Sequence, residues 1–577
     1  MISEAERVAI DRVLGSEPIG WGEGTRAATG GRVAHGGTAL RARRNLLLPA
    51  LHAAQGAAGW VTPEALDYLA DRLGVAPADS FGVATFYDLL RTSPGPGATV
   101  RVCDDIACSG SAIGDLGGDV AVEGVSCLGH CAHGSAALVD VQGLEIIVAP
   151  ATPDRVRRAV QGESVPTEPD TIGGAIGLLS RVGVVDPTSL PDYRSHGGYS
   201  ALRRAFAMGQ EAVIREVETS GLRGRGGASF PTGRKWAAVA QIEAAAKYVV
   251  CNADESEPGS FKDRIVLEGD PFAIIEALTI AAFAVSAEKG FIYVRGEYPL
   301  ARSRVEGAVL AARDAGLLGQ SVMDTDFSFD IEVRKGGGAY ICGEETALFN
   351  SIEGFRGEPR SKPPFPTDVG LFGAPTVINN VETLANIPPI VIGGGEAYSV
   401  SGKAGSVGSK LFSVSGRVAK PGLYEVSCCA TLGEIIDLAG GPTGTFRAAL
   451  LGGAAGTFMG PDRLDDEMSF EHLASLGESF GSGAIVVFDE TSDMETVVRR
   501  IADFFRHESC GQCVPCRVGT VVQAQALGRY LDGDLAQRQI LDDVDRVMTD
   551  ASICGLGRTA ASAVRSALRL GLIGGAS

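Results

Sequence analysis

Apolar residues recur along this chain in two rhythms, and the switches between them outline its elements. From 45 to 91 they fall at i, i+3 and i+4, in LLLPALHAAQ and TPEALDYLADRLG, which predicts helices with Thr62 as N-cap and Pro63 at the first helical position. A strand-like run ends at 100–103 after the turn-rich SPGPG, and LEIIV at 144–148 predicts a later strand. Between about 200 and 395 the two periods alternate. Buried strands are predicted at 247–251, 290–294 and 330–334, among helices over 201–219, 233–246, 271–288 and 297–315. From 408 to 490 a hairpin (SKLFSVSGRV, a PG turn, GLYEV), a short helix (TLGEIIDLAGG) and a strand (AIVVF) predict a small mixed domain, and 495–577 reads as helical. Residues 1–44, Gly- and Arg-rich with little periodicity, read as an irregular leader. The stretch 166–198, opening on PTEPDTIGG, reads as a linker.

The chain has 577 residues, enough for several domains, and carries a net charge of −19. Its field repels phosphate, which argues against nucleic acid and anionic membrane as partners. No apolar stretch has the length of a bilayer span, so no direct membrane insertion is expected. The start, MISEAERVAI, has neither a basic nor an apolar signal region. Twelve cysteines without such a signal suggest metal or redox chemistry in a reducing, cytoplasmic setting.

Cys510, Cys513 and Cys516 are spaced C-x2-C-x2-C, and Cys554 follows 38 residues on. Three thiolates on one hook and a distant fourth suit a [4Fe–4S] cluster; structural zinc is the competitor, although its sites usually use two CxxC hooks. A second set, Cys103 and Cys108 (C-x4-C) with Cys127 and Cys131 (C-x3-C), suits a [2Fe–2S] cluster in which each pair holds one iron. A zinc ribbon is the alternative there, and His130 and His133 are either neighbours of that site or Rieske-like ligands. Cys251 and Cys342 read as structural thiols, and no chemistry is assigned to Cys428 or Cys429.

GLRGRGGASFPTGRKW, from Gly221 to Trp236, joins two predicted helices. Its glycines permit close backbone approach to a ligand, a following helix N-terminus favours phosphate, and Arg223, Arg225 and Lys235 add positive charge. It does not follow a strand as a Rossmann fingerprint would, so an ordinary dinucleotide fold is not expected. CNADESEPG (251–259) and YICGEE (340–345) place carboxylates near this loop, suited to ribose hydroxyls and ring N–H donors. INNVE (378–382) adds two amides that either face a ligand or cap the next helix.

Taken together, GLRGRGGASFPTGRKW, NADESEPGSFKDR, GAYICGEETAL, SKPPFP, INNVETL and SCGQCVPC…SICG make 200–577 resemble the NADH-binding, FMN-containing subunit of respiratory complex I and its soluble relatives. Residues 45–160 resemble the thioredoxin-like [2Fe–2S] subunit that accompanies it, here fused. The resemblance implies a multidomain α/β chain: an irregular leader (1–44), a helical segment (45–92), a thioredoxin-like [2Fe–2S] domain (93–165), a linker (166–198), a Rossmann-like FMN/NADH domain (199–400), a ubiquitin-like β-grasp domain (405–492) and a helical bundle with the [4Fe–4S] cluster (493–577). It implies FMN contacts from Gly224, Arg225, Gly226, Lys235, Asn252, Asp254, Glu255, Ser256, Gly343, Glu344, Asn379 and Asn380. It places NAD(H) beside Phe230, Glu257, Glu345, Lys362 and Phe365. No catalytic side chain is implied, because hydride passes between the cofactors themselves. Ser229 stands where the family loop has a further glycine, and the short gap from Cys108 to Cys127 implies a shortened helix. The fusion occurs in NAD-dependent molybdenum or tungsten formate dehydrogenases and NAD-reducing [NiFe] hydrogenases. The expected partner is therefore a large catalytic subunit with its own clusters, in a hetero-oligomer; the lack of ferredoxin-like cysteine pairs after Cys554 argues against bifurcating hydrogenases, and the complete [2Fe–2S] ligand set and short C-terminus favour, by family analogy, formate dehydrogenase. A complex I module and, in a different class, a zinc-stabilised scaffold remain the alternatives.

Overall fold

A computed structural model describes residues 2–15, 43–108, 113–174, 177–403 and 405–574. Its centre is a parallel four-stranded sheet of β6 (Tyr248–Ala253), β7 (Lys289–Val294), β8 (Asp330–Lys335) and β9 (Thr376–Asn380), in the order β8-β7-β6-β9. These strands are runs of β-branched and aromatic residues, as a sheet covered on both faces requires. One face packs on the helix Pro271–Val285, in which every residue but Phe283 is buried. The other face, through Val250, Phe291 and Tyr293, shares a core with the N-terminal helices Leu47–Ala58, Pro63–Leu73 and Pro77–Ala84 and with the C-terminal bundle. The chain steps outward from β6 to β7 to β8, then returns to lay β9 on the far side of β6. The order reverses between β6 and β9, and the strand ends there form the crevice where α/β sheets place their ligands.

The [2Fe–2S] candidate domain is a second sheet, β1 (Ala98–Cys103), β2 (Val120–Val125), β3 (Ala137–Val141) and β4 (Leu144–Val148), ordered β2-β1-β3-β4 with only β1 and β2 parallel. In the described parts of the β1–β2 connection, 104–108 and 113–119, there is no helix. The third sheet combines β12 (Ser409–Gly416), β13 (Gly422–Ser427), β14 (Phe446–Leu451), β15 (Thr457–Met459) and β16 (Ala484–Asp489) with β5 (Ile172–Gly173) at its edge. The helix Leu432–Leu438, started by a Thr431–Glu434 capping box, packs on it. A two-residue pair, β10 (Gly402–Lys403) with β11 (Ser406–Val407), leads into this domain. The bundle consists of Met494–Glu508, Val514–Leu531, Gln537–Ala551, Gly555–Thr559 and Ser562–Arg569.

Several expectations are corrected. The leader begins with a helix, Glu4–Leu14, fixed by a capping box between Ser3 and Glu6 and buried along Glu6, Ile10 and Leu14; residues 16–42 lie outside the described residues. The linker is built in. Its β5 pairs with β13, and the Glu425 carboxylate accepts hydrogen bonds from the N–H groups of Gly177, Leu178 and Leu179 at 3.2, 2.9 and 3.0 Å. The helix expected over 201–219 is two, Ser200–Met208 and Gln210–Thr219, divided by Gly209 at φ 83°. The next is Thr232–Ala240, shorter than expected. Thr62 caps Pro63–Leu73 as expected, accepting from Ala65 N.

Candidate flavin, nucleotide and iron–sulfur sites

Loops from four elements meet at the β6/β9 crevice. Asn252, at the end of β6, donates to Gly343 O at 2.8 Å and so ties the acidic loop to the YICGEE segment. Gly226 lies against Asn380; a Cβ there would stand 3.0 Å from that of Asn380, a tight approach that favours glycine. Gly343 is similarly tight, with Asp254 O 3.3 Å from where its Cβ would be. Lys235 reaches the same place from the helix Thr232–Ala240 and donates to Ile378 O at 2.8 Å. Trp236 donates its indole N–H to Asn379 Oδ1 at 2.9 Å and so fixes this amide at the end of β9. Asp254 Oδ2 is buried without a hydrogen-bond partner, and burial, then Glu297, pushes this carboxyl well above its usual range. Two closely approached glycines, an orphaned carboxyl oxygen and a lysine at a switch point fit the ring, ribityl and phosphate groups of a flavin nucleotide.

Other expected flavin contacts are directed elsewhere. The Arg225 guanidinium is buried and donates to Val407 O at 2.6 Å and to Cys428 Sγ at 3.3 Å, both in or beside the β-grasp domain, so Cys428 has a partner after all. The Glu255 carboxylate starts the helix Lys262–Gly269, accepting from Asp263 N and Arg264 N and from Ser260 Oγ. Glu344 caps Glu345–Ile352 through Thr346 N and Ala347 N, and Asn380 caps Val381–Ala385 through Glu382 N. These three side chains shape the crevice by fixing helix starts. Ser229 holds φ 53°, the left-handed conformation for which glycine is suited.

The mouth of the crevice is here the set of loops that carries the residues expected at the nicotinamide nucleotide, Phe230, Glu257, Glu345, Lys362 and Phe365. Phe230 and Phe365 are 50% and 53% exposed, unusual for phenylalanine and suited to stacking on a base. Lys362 donates to Glu344 Oε1 at 2.9 Å and Glu345 Oε1 at 2.5 Å. Glu257 lies deeper, accepting from Tyr340 OH at 2.6 Å and Ala455 N at 3.0 Å, and burial raises its carboxyl to about 7. Tyr340 was not singled out from the sequence. Its N–H donates to Glu508 Oε2 at 2.9 Å and its ring packs edge-on against Phe504, 5.0 Å between centroids. One tyrosine thus joins the mouth to the helix that ends just before Cys510. A cavity of about 390 Å³, lined by Ser256, Arg295, Tyr340 and Glu508, separates this wall from the β2 end of the [2Fe–2S] domain. A second cavity, of about 460 Å³, lies apart from these residues where 177–201 meets the β-grasp domain.

The first cysteine set is a buried chain of thiols. All four are buried, Cys127 Sγ is 3.1 Å from Cys131 Sγ, and the neighbouring Cys108 and Cys127 thiols push that of Cys103 well above its usual range. Gly129 N donates to Cys127 Sγ at 3.3 Å, the type of bond that stabilises a thiolate ligand. His133 pairs with Asp170, 3.2 Å away, which Arg264 also holds. In the second set Cys510 and Cys513 lie in the loop after Met494–Glu508, Cys516 in the first turn of Val514–Leu531, and Cys554 directly before Gly555–Thr559. Gly557 brings the Cys554 loop onto Cys516: a Cβ there would be 3.0 Å from that of Cys516. Burial, and then neighbouring thiols, raise Cys516 and Cys554 to about 11. Among the described residues no three or more His, Cys, Asp or Glu converge as on a single metal ion. A multi-iron core instead spreads its thiolates over several irons. Both donor sets, all sulfur and free of disulfides, fit such a core.

Comparison with known proteins agrees with this geometry. Residues 217–389 match the Nuo51 FMN-binding domain, 496–570 the NADH-ubiquinone oxidoreductase-F iron-sulfur binding region, 37–116 the thioredoxin-like [2Fe-2S] ferredoxin family and 411–454 the SLBB domain. The chain is 44% identical over 395 residues to the F subunit of NADH-quinone oxidoreductase of Aquifex aeolicus (strain VF5), covering 68% of this chain and 91% of that protein. It is 43% identical over 391 residues to the NADP-reducing hydrogenase subunit HndC of Solidesulfovibrio fructosivorans, covering 67% and 80%. A chain of the NAD+-reducing [NiFe]-hydrogenase in the H2-reduced state superposes with a TM-score of 0.78 at 30% identity, covering 91% of each. The cofactors are accordingly FMN, a [4Fe–4S] and a [2Fe–2S] cluster, with NAD(H) as substrate. The chain belongs to the F-subunit family of NADH-quinone oxidoreductases, as an electron-transfer protein of the NADH/FMN iron–sulfur diaphorase type with a thioredoxin-like [2Fe–2S] module in the same polypeptide.

Proposed function

We propose that this chain exchanges hydride between NAD(H) and FMN at the β6/β9 crevice and passes the electrons through its clusters to or from a molybdenum- or tungsten-dependent formate dehydrogenase subunit. The observation that carries the relay is Tyr340, which touches Glu257 at the nucleotide mouth and Glu508 beside the Cys510 loop. When bound, FMN supplies hydride exchange and each cluster one-electron transfer. The side chains bind and orient. Gly226 and Gly343 would let backbone approach the flavin, and Lys235 would offer it positive charge, beside the loop of Asn252 and Asp254. Phe230 and Phe365 stack on the nucleotide bases. Lys362 is released from Glu344 and Glu345 as the nucleotide enters, and Glu257 accepts from ribose hydroxyls. An acidic chain in which no helix of the described residues can cross a membrane fits a cytoplasmic complex.

Family analogy, through the fused and complete [2Fe–2S] ligand set, supports formate as the electron source. A second reading, the diaphorase subunit of an NAD-reducing [NiFe] hydrogenase, is favoured by the structural likeness that spans 91% of both chains, the N-terminal module included. Anaerobic purification from the native host decides between them. Co-elution with a large subunit and NAD+ reduction by formate is the expected result. Reduction by H2 would assign the second reading, and a chain without partner or NADH:viologen activity would overturn both.

A further inference from the structure

Four buried charges tie the β-grasp domain to the flavin crevice. Lys410, on β12, is 1% exposed, and its ammonium leaves its own domain: Nζ lies 2.7 Å from Glu382 Oε2 and 3.4 Å from Arg225 O, besides 3.2 Å from Ser482 O. Glu382 also accepts from Leu411 N at 2.9 Å and stands 3.3 Å from Lys262 Nζ. Lys262 donates to Asp263 Oδ1 at 2.6 Å and to Asn380 Oδ1 at 3.1 Å, and Asn380 Nδ2 donates back to Asp263 Oδ2 at 2.6 Å. Two ammonium groups and two carboxylates thus balance away from water. The network ends at Asn380, against which Gly226 packs, and at the Arg225 carbonyl, which belongs to the glycine-rich loop.

Adhesion between domains does not call for this. Apolar residues of equal volume often hold a core as well as buried ion pairs, or better, because each ion must be desolvated. Direction and distance are what such a network adds, since each bond fixes the position of the next group. We infer that Lys410 is a positioning residue for the flavin: through Glu382, Lys262 and Asn380 on one lip, and through the Arg225 carbonyl on the other, the β-grasp domain sets the width of the FMN cradle. The charge states agree. Burial lowers the Lys410 ammonium to about 8 against the pull of Glu382, leaving it protonated at neutral pH. Burial works against the Glu382 carboxylate, but Lys410, Lys262 and Arg225 outweigh it and hold the group below its usual value.

The inference rests on the crevice being the FMN site, and the test separates the two. In full-length protein with both clusters, Lys410→Met is expected to weaken FMN binding to the deflavo form by about tenfold or more, the scale of one charge-assisted contact. It is also expected to shift the flavin midpoint potential and visible circular dichroism while both cluster EPR signals persist. Lys410→Arg, which keeps the charge, should regain part of the affinity, and Glu382→Gln should reproduce the Met phenotype. Unchanged FMN affinity, potential and dichroism in Lys410→Met, with clusters intact, would overturn the inference. So would joint loss of FMN and both clusters, which would make Lys410 a requirement for folding alone. A wild-type chain that binds no FMN would instead sink the crevice assignment.

Discussion

Two residues of the crevice carry consequences of their own. Ser229 sits at φ 53°, where a side chain costs about 1–2 kcal/mol relative to glycine. Glycine gives back about 0.5–1 kcal/mol in backbone entropy. Ser229→Gly is therefore expected to stabilise the flavin domain by about 0.5 kcal/mol, read from the denaturant midpoint of the apo-protein. The sequence exposed the substitution but not the strain. Glu257 has its pKa raised by burial to about 7, from 4.5. A carboxyl raised in this way contributes stability in full below about pH 4.5 and loses it as pH rises through 7, where the buried group must charge. The charged form is the one that accepts ribose hydroxyls and repels a 2′-phosphate. KM for NADH is therefore expected to fall from pH 6 to pH 8, and Glu257→Gln should flatten that profile and raise the NADPH/NADH ratio of kcat/KM. A steep profile retained in Glu257→Gln would place the titration elsewhere.

At the scale of elements, the two cofactor types rest on different supports. The second cysteine set hangs on the ends of bundle helices, whereas the residues expected at the flavin hang on the ends of β6 and β9 and the loops beside them. Cys513→Ser is expected to abolish the [4Fe–4S] EPR signal while FMN binding survives, checked by flavin fluorescence; equal loss of FMN would show that the supports are coupled. Element prediction worked where one residue type sets a local conformation. Thr62-Pro63 starts a helix, and the runs ending β1 and forming β4 are strands. It failed at Glu4–Leu14, although Ser3 and Glu6 form a capping box, because the glycine-rich residues that follow masked a short amphipathic turn sequence. It failed at 166–198 because what orders that segment is the edge of a sheet formed some 250 residues later.

Across the whole molecule, the [2Fe–2S] loops are gripped by other domains. Arg264 and Arg295 of the flavin domain donate to Gly129 O, at 2.8 Å, and to Cys127 O. Arg500 of the bundle donates to Asp105 O and Cys108 O, at 3.3 and 3.2 Å, and pairs with Asp104. Arg295 also donates to Glu255 O at 2.9 Å, so a single guanidinium bridges the flavin loop and the cluster loop. Arg500→Gln is expected to speed amide exchange across 103–108, while 127–131, held by Arg264 and Arg295, keeps its protection. Equal exchange in both loops would mean that the module is held by apolar packing alone.

Ligand spacing, helical and strand periods and the glycine-rich and acidic loops are local patterns; the spacing pointed to two iron–sulfur clusters with zinc as the alternative, and the flavin and the nucleotide came from the family resemblance that the motifs carry together. Local patterns carry that information because a thiolate hook or a cap acts over a few residues. Which charges meet is another matter. Arg225 finds Cys428 across 203 residues, Arg295 finds Cys127 across 168, and Arg500 finds Cys108 across 392. A guanidinium drawn out of water must find hydrogen-bond acceptors among whatever groups the fold brings beside it, and those neighbours have no period in the sequence. So the motifs of the chain, through the family they resemble, indicated which cofactors it holds, and only the packing of its domains decided which distant side chains hold those domains together.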